Sequence, residues 1–177
     1  MKKCKLLLIL FICLFVIVGC GNNDTKTLKS SSNSDSNIND IDDLTSDKGT
    51  LSCSRSATAS DGVTPSFNYE IEYNGDNILQ LHSVEMVTSD DSSKLDEYES
   101  AYKKINTYYE NLKYYDSNVI RTSNSVTRDT VINYDKINID DLLEIEGEDD
   151  NIIEDGKAKL SIWLEFASKF GTECSET

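Results

Sequence analysis

Residues 66–73 constrain the fold of this chain more than any other stretch, because apolar and polar side chains alternate through them without a break. The apolar positions are Phe67, Tyr69, Ile71 and Tyr73. A period of two is typical of an antiparallel strand with one buried face and one wet face. Asn74 and Gly75 follow at once, and both tolerate the positive φ of a tight hairpin turn. The stretch therefore predicts the first arm of a β-hairpin, with residues 78–88 as the second arm.

The second arm of this hairpin has an irregular alternation. Its apolar positions change parity between Leu81 and Val84. Because successive side chains of a strand point to opposite faces, a change of parity indicates an extra residue. We therefore expect a β-bulge near His82 and Ser83.

Three further segments predict strands of the same sheet. Leu51 and Cys53 alternate with polar residues and open a first strand. Residues 119–121 and 126–134 are rich in β-branched side chains and flank a polar turn, which indicates another hairpin. Together with residues 66–88 these segments predict an antiparallel sheet of about four or five strands.

Two segments have the helical period instead. The first lies between Ser92 and Tyr115, with Ser92 or Ser93 as the expected N-cap, and the second is expected to be capped by Asp155. Their apolar positions, three or four residues apart, are Leu95, Tyr98, Tyr102, Ile105, Tyr109 and Leu112, and then Leu160, Trp163, Ala167 and Phe170. The expected fold class is α+β: an antiparallel sheet of about four or five strands with two helices packed on one face.

Tyrosines are concentrated in the first helix, since six of the nine lie between Tyr98 and Tyr115. Such a stripe could line a ligand groove. Core packing, with the hydroxyl groups at the wet rim, is the interpretation that we favour.

The first twenty residues decide where the domain works. Lys2, Lys3 and Lys5 precede an apolar run of thirteen residues, which is shorter than the roughly 20 that a membrane-spanning helix needs. Residues 17–20, Ile-Val-Gly-Cys, resemble the bacterial lipobox, which implies cleavage after residue 19 and a diacylglyceryl thioether on Cys20. The alternative is an ordinary signal peptide in which Cys20 is a nearby thiol. We expect residues 1–19 to be a lipoprotein signal peptide, residues 20–48 a lipidated, disordered tether rich in Asn, Ser and Asp, and residues 49–177 one extracytoplasmic domain.

Charge limits the possible partners. The formal net charge is -15, and loss of the leader with its three lysines makes it -18. Such a chain repels nucleic acid and anionic head groups, so we expect no nucleic-acid partner, whereas cations and basic peptides remain possible.

The cysteines and the acidic segment bear on possible sites. Of five cysteines only Cys53 and Cys174 reach the folded domain unmodified, and in an oxidising compartment we expect them to form a disulfide rather than two separate buried thiols. Acidic side chains crowd the stretch from Glu144 to Asp155, but nothing there fixes a ligand geometry. We expect a solvated loop, no metal site and no cofactor.

Catalytic signatures are missing from the sequence. The chain has one histidine, His82, and it has no Gly-x-Ser-x-Gly elbow, Cys-x-x-Cys pair or Gly-rich phosphate loop. We therefore expect no enzymatic activity.

The chain resembles the small YehR-like bacterial lipoproteins of unknown function. The resemblance covers residues 51–174: Leu-Ser-Cys at 51–53, the strand at 69–73 with its Asn-Gly turn, the tyrosine-rich helix, Val-Ile-Asn-Tyr-Asp at 131–135, and the last helix running into Phe-Gly-Thr-Glu-Cys at 170–174. It implies the α+β fold described above and no catalytic or ligand-binding residues. The acidic segment departs from the family pattern. The composition, rich in Asn, Ile and Lys and poor in Arg, suggests a low-GC Gram-positive host, and hence the outer face of the cytoplasmic membrane.

Two functions follow as hypotheses. The first is a membrane-anchored binding or interaction domain for an unknown ligand, peptide or envelope protein. The second is an accessory or inhibitory lipoprotein that acts by contact with another membrane or envelope protein. A pocket with converging polar groups would favour the first, and a flat apolar patch the second.

Overall fold

The computed structural model describes residues 48–57, 62–147 and 151–177, which form an α+β fold. In chain order the elements are β1 (Lys48–Ser56), β2 (Val63–Asn74), β3 (Asn77–Ser89), α1 (Ser92–Tyr109), β4 (Tyr115–Arg121), β5 (Ser125–Asn133), α2 (Ile139–Glu146), β6 (Ile153–Glu154), β7 (Lys157–Ala158), α3 (Leu160–Ser168) and β8 (Glu173–Glu176). The predicted signal peptide, most of the predicted tether with Cys20, and Glu148, Asp149 and Asp150 of the acidic segment lie outside the described residues.

One antiparallel sheet of six strands, in the order β4-β5-β3-β2-β1-β8, forms the centre of the fold. Strands β6 and β7 pair separately as a two-stranded ribbon. The α+β class and the antiparallel sheet are confirmed. The predicted four or five strands and two helices are too few for the described residues, which contain six sheet strands and three helices. Strand β8 was missed because its four residues carry no apolar alternation, and it is recognisable only from its pairing with β1.

Strand β2 shows the alternation that its sequence predicts, with odd-numbered side chains turned toward the core. Its hairpin with β3 contains a register shift, but not at the predicted place. Glu72 pairs with Gln80 whereas Tyr73 pairs with Ile78, so Leu79 is the extra residue. The irregularity therefore lies next to the turn.

The β-bulge predicted near His82 and Ser83 is wrong. The alternation of β3 continues through this point, and the buried positions are Leu81, Ser83, Glu85 and Val87. Polar Ser83 and Glu85 thus face the core, while the apolar side chains of Val84 and Met86 lie on the other face. The apolar pattern changed parity although the strand did not.

Helix α1 places its predicted apolar face in the core, where Leu95, Tyr102 and Tyr109 are buried. The N-cap is Asp91 rather than Ser92 or Ser93. Its carboxylate accepts hydrogen bonds from the backbone N–H groups of Ser93 and Lys94, at 2.9 and 3.4 Å. Satisfying these otherwise free donors stabilises the first turn of the helix.

Helix α3 is not capped by Asp155, which lies in the turn between β6 and β7 with a φ of 51°. The N-cap position is Lys159, and its side chain makes no capping bond. Asp76, in the distant β2–β3 turn, replaces it. The Asp76 carboxylate accepts from the N–H of Ser161 at 2.8 Å, and its carbonyl accepts from the N–H of Leu160 at 3.0 Å.

The helices pack on one face of the sheet, as predicted, and we call it the helix-covered face. One row across this face consists of the paired residues Leu51, Ile71, Leu81 and Ile132. Trp163 of α3 packs near one end of this row, and Leu142 of α2 near the other. Helix α1 packs over Val63, Val87 and Val126. We call the opposite side of the sheet the open face.

A disulfide joins Cys53 and Cys174, which confirms the predicted pairing. The two residues are directly opposite each other on β1 and β8. Since the N–H of Thr177 donates to the carbonyl of Thr50, the cysteines occupy a non-hydrogen-bonded pair, in which antiparallel strands approach most closely. Their Cα atoms are 4.0 Å apart, just below the usual range of about 4.4 to 6.8 Å.

Candidate functional site

The open face is acidic. The strand register places five carboxylates on it: Glu70, Glu72, Asp116, Asp129 and Glu173. Lys48, at the end of β1, is the one lysine or arginine that the register of the six strands places there. No helix of the described residues packs against this face. The result is a negatively charged surface that spans six strands.

A short apolar strip crosses the middle of the open face. Val84 and Met86 of β3, Val131 of β5 and Ile120 of β4 lie on neighbouring strands, with Thr127 between Met86 and Ile120 and Asp129 directly opposite Val84. Three of the four apolar side chains are half-buried among their neighbours, and Ile120 is 47% exposed. An apolar strip bordered by carboxylates suits an amphipathic partner with basic side chains.

His82 lies within the same face. Its Nε2 is 2.8 Å from Oδ1 of Asp129, and the two side chains are 37% and 44% exposed. Among the described residues, Asp129 is the one group that bonds to the ring. A histidine with a carboxylate but no hydroxyl or thiol beside it has no nucleophile to activate.

The helix-covered face holds a buried ion pair that sequence reasoning missed. Glu85 and Arg128 are each 4% exposed and pair directly across β3 and β5. Arg128 donates from Nη1 to Glu85 Oε1 at 3.4 Å, from Nε to Asn106 Oδ1 at 2.9 Å, and from Nη2 to Tyr115 Oη at 2.6 Å. The guanidinium thereby joins the sheet to helix α1.

Burial dominates the titration of this cluster. It raises the pKa of Glu85 to about 7, with the charges of Arg128 and then Arg55 opposing it. Burial likewise raises the pKa of Tyr115 to about 12, and it raises the pKa values of Tyr69 and Tyr102 further. A carboxyl group with such a pKa in a cleft would be a candidate general acid. Glu85 is buried beneath α1, where a substrate cannot reach it, so we assign it a structural role in the core.

An open groove of about 300 Å³ lies where the β2–β3 turn meets the β6–β7 ribbon. Its polar lining includes Asn74, Asn77, Asp135 and Lys157, which come from three separate turns. The Asn77 amide oxygen already accepts from Lys159 Nζ at 3.2 Å. The groove has one acidic and one basic side chain in its polar lining, whereas the open face gathers five carboxylates, so we take the open face as the stronger candidate site.

The acidic segment of the sequence is not one loop. Glu144 and Glu146 belong to α2, and Glu154 and Asp155 lie in the β6–β7 ribbon. Burial raises the pKa of Glu146, whose carboxylate accepts from the Tyr109 hydroxyl at 3.1 Å. No group of three or more His, Cys, Asp or Glu side chains suited to a metal occurs within residues 48–57, 62–147 and 151–177.

The tyrosine stripe serves the core, as favoured from the sequence. Tyr102 and Tyr109 are buried, and the Tyr109 ring stacks on Tyr115 at 4.3 Å between centroids. Tyr108 and Tyr114 are exposed. Across the described part of the chain no helix is both long and apolar enough to span a membrane.

No protein-family model and no curated protein matches this chain. It is similar to the NMR structure of a protein from Streptococcus pneumoniae TIGR4, with 12% identity and a TM-score of 0.42, covering 90% of this chain and 100% of that one. It is also similar to the NMR structure of YehR from E. coli, with 15% identity and a TM-score of 0.47, covering 74% of this chain and 91% of that one. Both TM-scores are below 0.5, so neither likeness supports a functional conclusion. Membership of the YehR-like family stays a prediction.

Proposed function

We propose that this chain is an exported, membrane-anchored lipoprotein whose domain is a non-catalytic interaction module for a basic segment of an envelope protein. The observation that carries the proposal is the open face, with five carboxylates around an apolar strip. The strip supplies apolar contact area, and the carboxylates select Lys- or Arg-rich partners and speed their encounter.

Charge also argues against a second copy of the chain, nucleic acid or an anionic lipid as the partner of this face. A second copy would bring like charges together, which costs several kcal/mol in typical interfaces. Nucleic acid and anionic lipid head groups are repelled for the same reason. A basic segment of a protein is the occupant that meets both the strip and its acidic border.

The absence of catalysis is part of the proposal. His82 has a carboxylate partner but no nucleophile beside it, and the perturbed Glu85 is buried under α1. The most unusual titratable groups of the domain therefore do not converge on an accessible cleft.

The lipid anchor is supported by the lipobox at residues 17–20, which lies outside the described residues. Stable anchoring needs two acyl chains, because one chain gives only marginal binding at about 0.8 kcal/mol per buried CH₂. Cys20→Ala should abolish fatty-acid labelling of the chain in cells. Persistent labelling of that variant would refute the anchor.

The docking face is tested by a photo-crosslinking residue at Asn68, on the open face, or at Lys104, on the outside of α1, in intact cells. We expect a crosslink from position 68 but not from 104, and mass spectrometry should map it to a segment rich in Lys or Arg. Glu70→Lys with Asp116→Lys should abolish it.

The matched control is Glu97→Lys, on the exposed surface of α1, with Glu110→Lys, at its C-cap, which together change the net charge equally. It should leave the crosslink intact. Equal loss in both variants, equal crosslinking from positions 68 and 104, or an acidic captured segment would overturn the proposal.

The open face, with its apolar strip, also suits the second candidate, an accessory or inhibitory lipoprotein acting by contact with a membrane or envelope protein. This candidate predicts that the activity of the captured partner changes when Glu70 and Asp116 are reversed. The first candidate predicts that only its attachment to the domain changes.

A further inference from the structure

Arg55, on the helix-covered face of β1, is held between aromatic rings. Its Cζ lies 4.2 Å from the ring centroid of Phe67 and 5.3 Å from that of Phe170. Cation–π contacts of this kind fix the plane of the guanidinium. The side chain is therefore presented in one orientation and has little freedom left to lose when it binds a partner.

No hydrogen bond joins the Arg55 side chain to another of the described residues. The chain has three arginines. Arg121 pairs with Asp96 and Glu99 at 3.3 and 3.7 Å, and Arg128 pairs with Glu85 at 3.4 Å. In the described part of the chain Arg55 has no carboxylate within 4 Å, and its Nε is buried without an acceptor. Burial raises the pKa of Glu85, and the charge of Arg55 opposes this rise only from beyond ion-pair distance. A chain with a net charge of -15 has thus left this stacked arginine without a carboxylate in direct contact among the described residues.

Apolar surface lies directly beside this cation. The rings of Phe166 and Phe170 are 5.0 Å apart between centroids and are 41% and 38% exposed. Phe67, whose ring lies beneath the Arg55 guanidinium, is 2% exposed. Two exposed aromatic rings next to a fixed guanidinium form an amphipathic site, with one charged end and one apolar end.

We propose that Arg55, Phe166 and Phe170 bind a small organic carboxylate with an aromatic or branched apolar body. The planar fork of arginine matches the two oxygens of a carboxylate in a bidentate geometry. A phosphate would carry about two charges, and it would meet a single cation in a strongly acidic protein. The apolar body of the ligand would cover the two exposed rings.

The site lies on the face opposite the proposed docking surface, so the two proposals fail separately. The test is titration of the ¹⁵N-labelled full chain with N-acetyl-L-phenylalanine, observed at the side-chain Nε–Hε signals of its three arginines. We expect the Arg55 signal to shift to saturation. The uncharged probe N-acetyl-L-phenylalaninamide should bind at least about tenfold more weakly, because it lacks the charge-assisted hydrogen bonds.

Arg55→Gln should abolish binding, and Phe170→Leu should weaken it while keeping an apolar surface residue. Arg121→Gln is the matched control, since it removes the same charge at the other edge of the sheet and should leave the Arg55 shift intact. Equal affinity for acid and amide, no saturable shift of the Arg55 signal, unchanged binding in Phe170→Leu, or tighter binding of phenyl phosphate would each overturn the proposal.

Discussion

Two regions of the helix-covered face are both largely buried, but by side chains of different chemistry. The apolar row holds Leu51, Ile71, Leu81 and Ile132, and the polar row holds Phe67, Glu85, Arg128 and Val119. The apolar row stabilises the fold through area removed from water, whatever its partners do. The ion pair of the polar row contributes only while both members are present and bonded. Position in the sheet decides which side chains are buried. Whether their contribution to stability depends on a partner is decided by their chemistry.

The largest expected effect concerns the disulfide, whose Cys53 packs in the same apolar cluster as Leu51 and Ile71. It closes a sequence separation of 121 residues, and the chain-entropy model assigns such a loop about 5 kcal/mol of lost freedom in the unfolded state. Cys53→Ala with Cys174→Ala should lower the free energy of unfolding by several kcal/mol, measured by urea denaturation. The reduced wild-type chain is the control and should fall to a similar value. A loss under about 1 kcal/mol would show that the apolar row holds the edge of the sheet unaided.

The second prediction separates the two rows directly. Arg128→Met leaves Glu85 buried without its partner and should cost about 3 to 5 kcal/mol. Adding Glu85→Leu removes the stranded carboxylate, so the double variant should recover most of the loss. Ile71→Ala, in the apolar row, is the comparison: it should cost about 2 to 5 kcal/mol through its cavity. If the double variant is no more stable than Arg128→Met, the stability lost in Arg128→Met does not come from leaving Glu85 without its partner.

The third prediction uses pH. The folded pKa of Glu85, about 7, lies above its ordinary value of 4.5, so the folded state binds more protons between these values. The Glu85 contribution to stability is therefore present at low pH and is lost as pH rises from about 4.5 to 7, by up to about 3 kcal/mol. Denaturation curves of the wild type and Glu85→Gln, compared at several pH values, should diverge across this window. Parallel pH profiles would contradict the assignment.

The sequence predicts the apolar regions of this fold well and the polar row poorly. The alternation of β2, the period of α1 and the cysteine pairing all follow from rules about apolar side chains and thiols. The bulge near His82 was wrong because Ser83 and Glu85 occupy buried positions that an apolar pattern counts as exposed. The sequence did contain a signal for the buried ion pair. Glu85 stands two residues before Val87 and Arg128 two residues after Val126, so each lies on the same face of its strand as a buried valine.

Long-range contacts set the remaining limit on prediction from the sequence. The N-terminus of α3 is capped by Asp76, and β8 exists through its pairing with β1, so neither follows from its own local sequence. For the candidate sites, the acidity of the domain was evident, but its concentration on the open face depends on the strand register. Nor could the sequence show that, among the described residues, Arg55 is the arginine with no carboxylate within ion-pair distance.

The smallest expected effect belongs to the exposed His82–Asp129 contact of the open face. His82 and Asp129 approach as closely as the partners of many buried pairs, at 2.8 Å, but their side chains are 37% and 44% exposed. Water solvates both side chains in the folded and in the unfolded state, so such an exposed pair contributes about 0 to 1 kcal/mol. His82→Ala should therefore change the free energy of unfolding by less than about 1 kcal/mol, against about 3 to 5 for Arg128→Met. Asp129→Asn, which keeps the side-chain shape, is the control and should behave alike. A loss above about 2 kcal/mol in the isolated chain would mean that the pair is covered in solution by another part of the same chain, and the open face would then not be free to receive a partner.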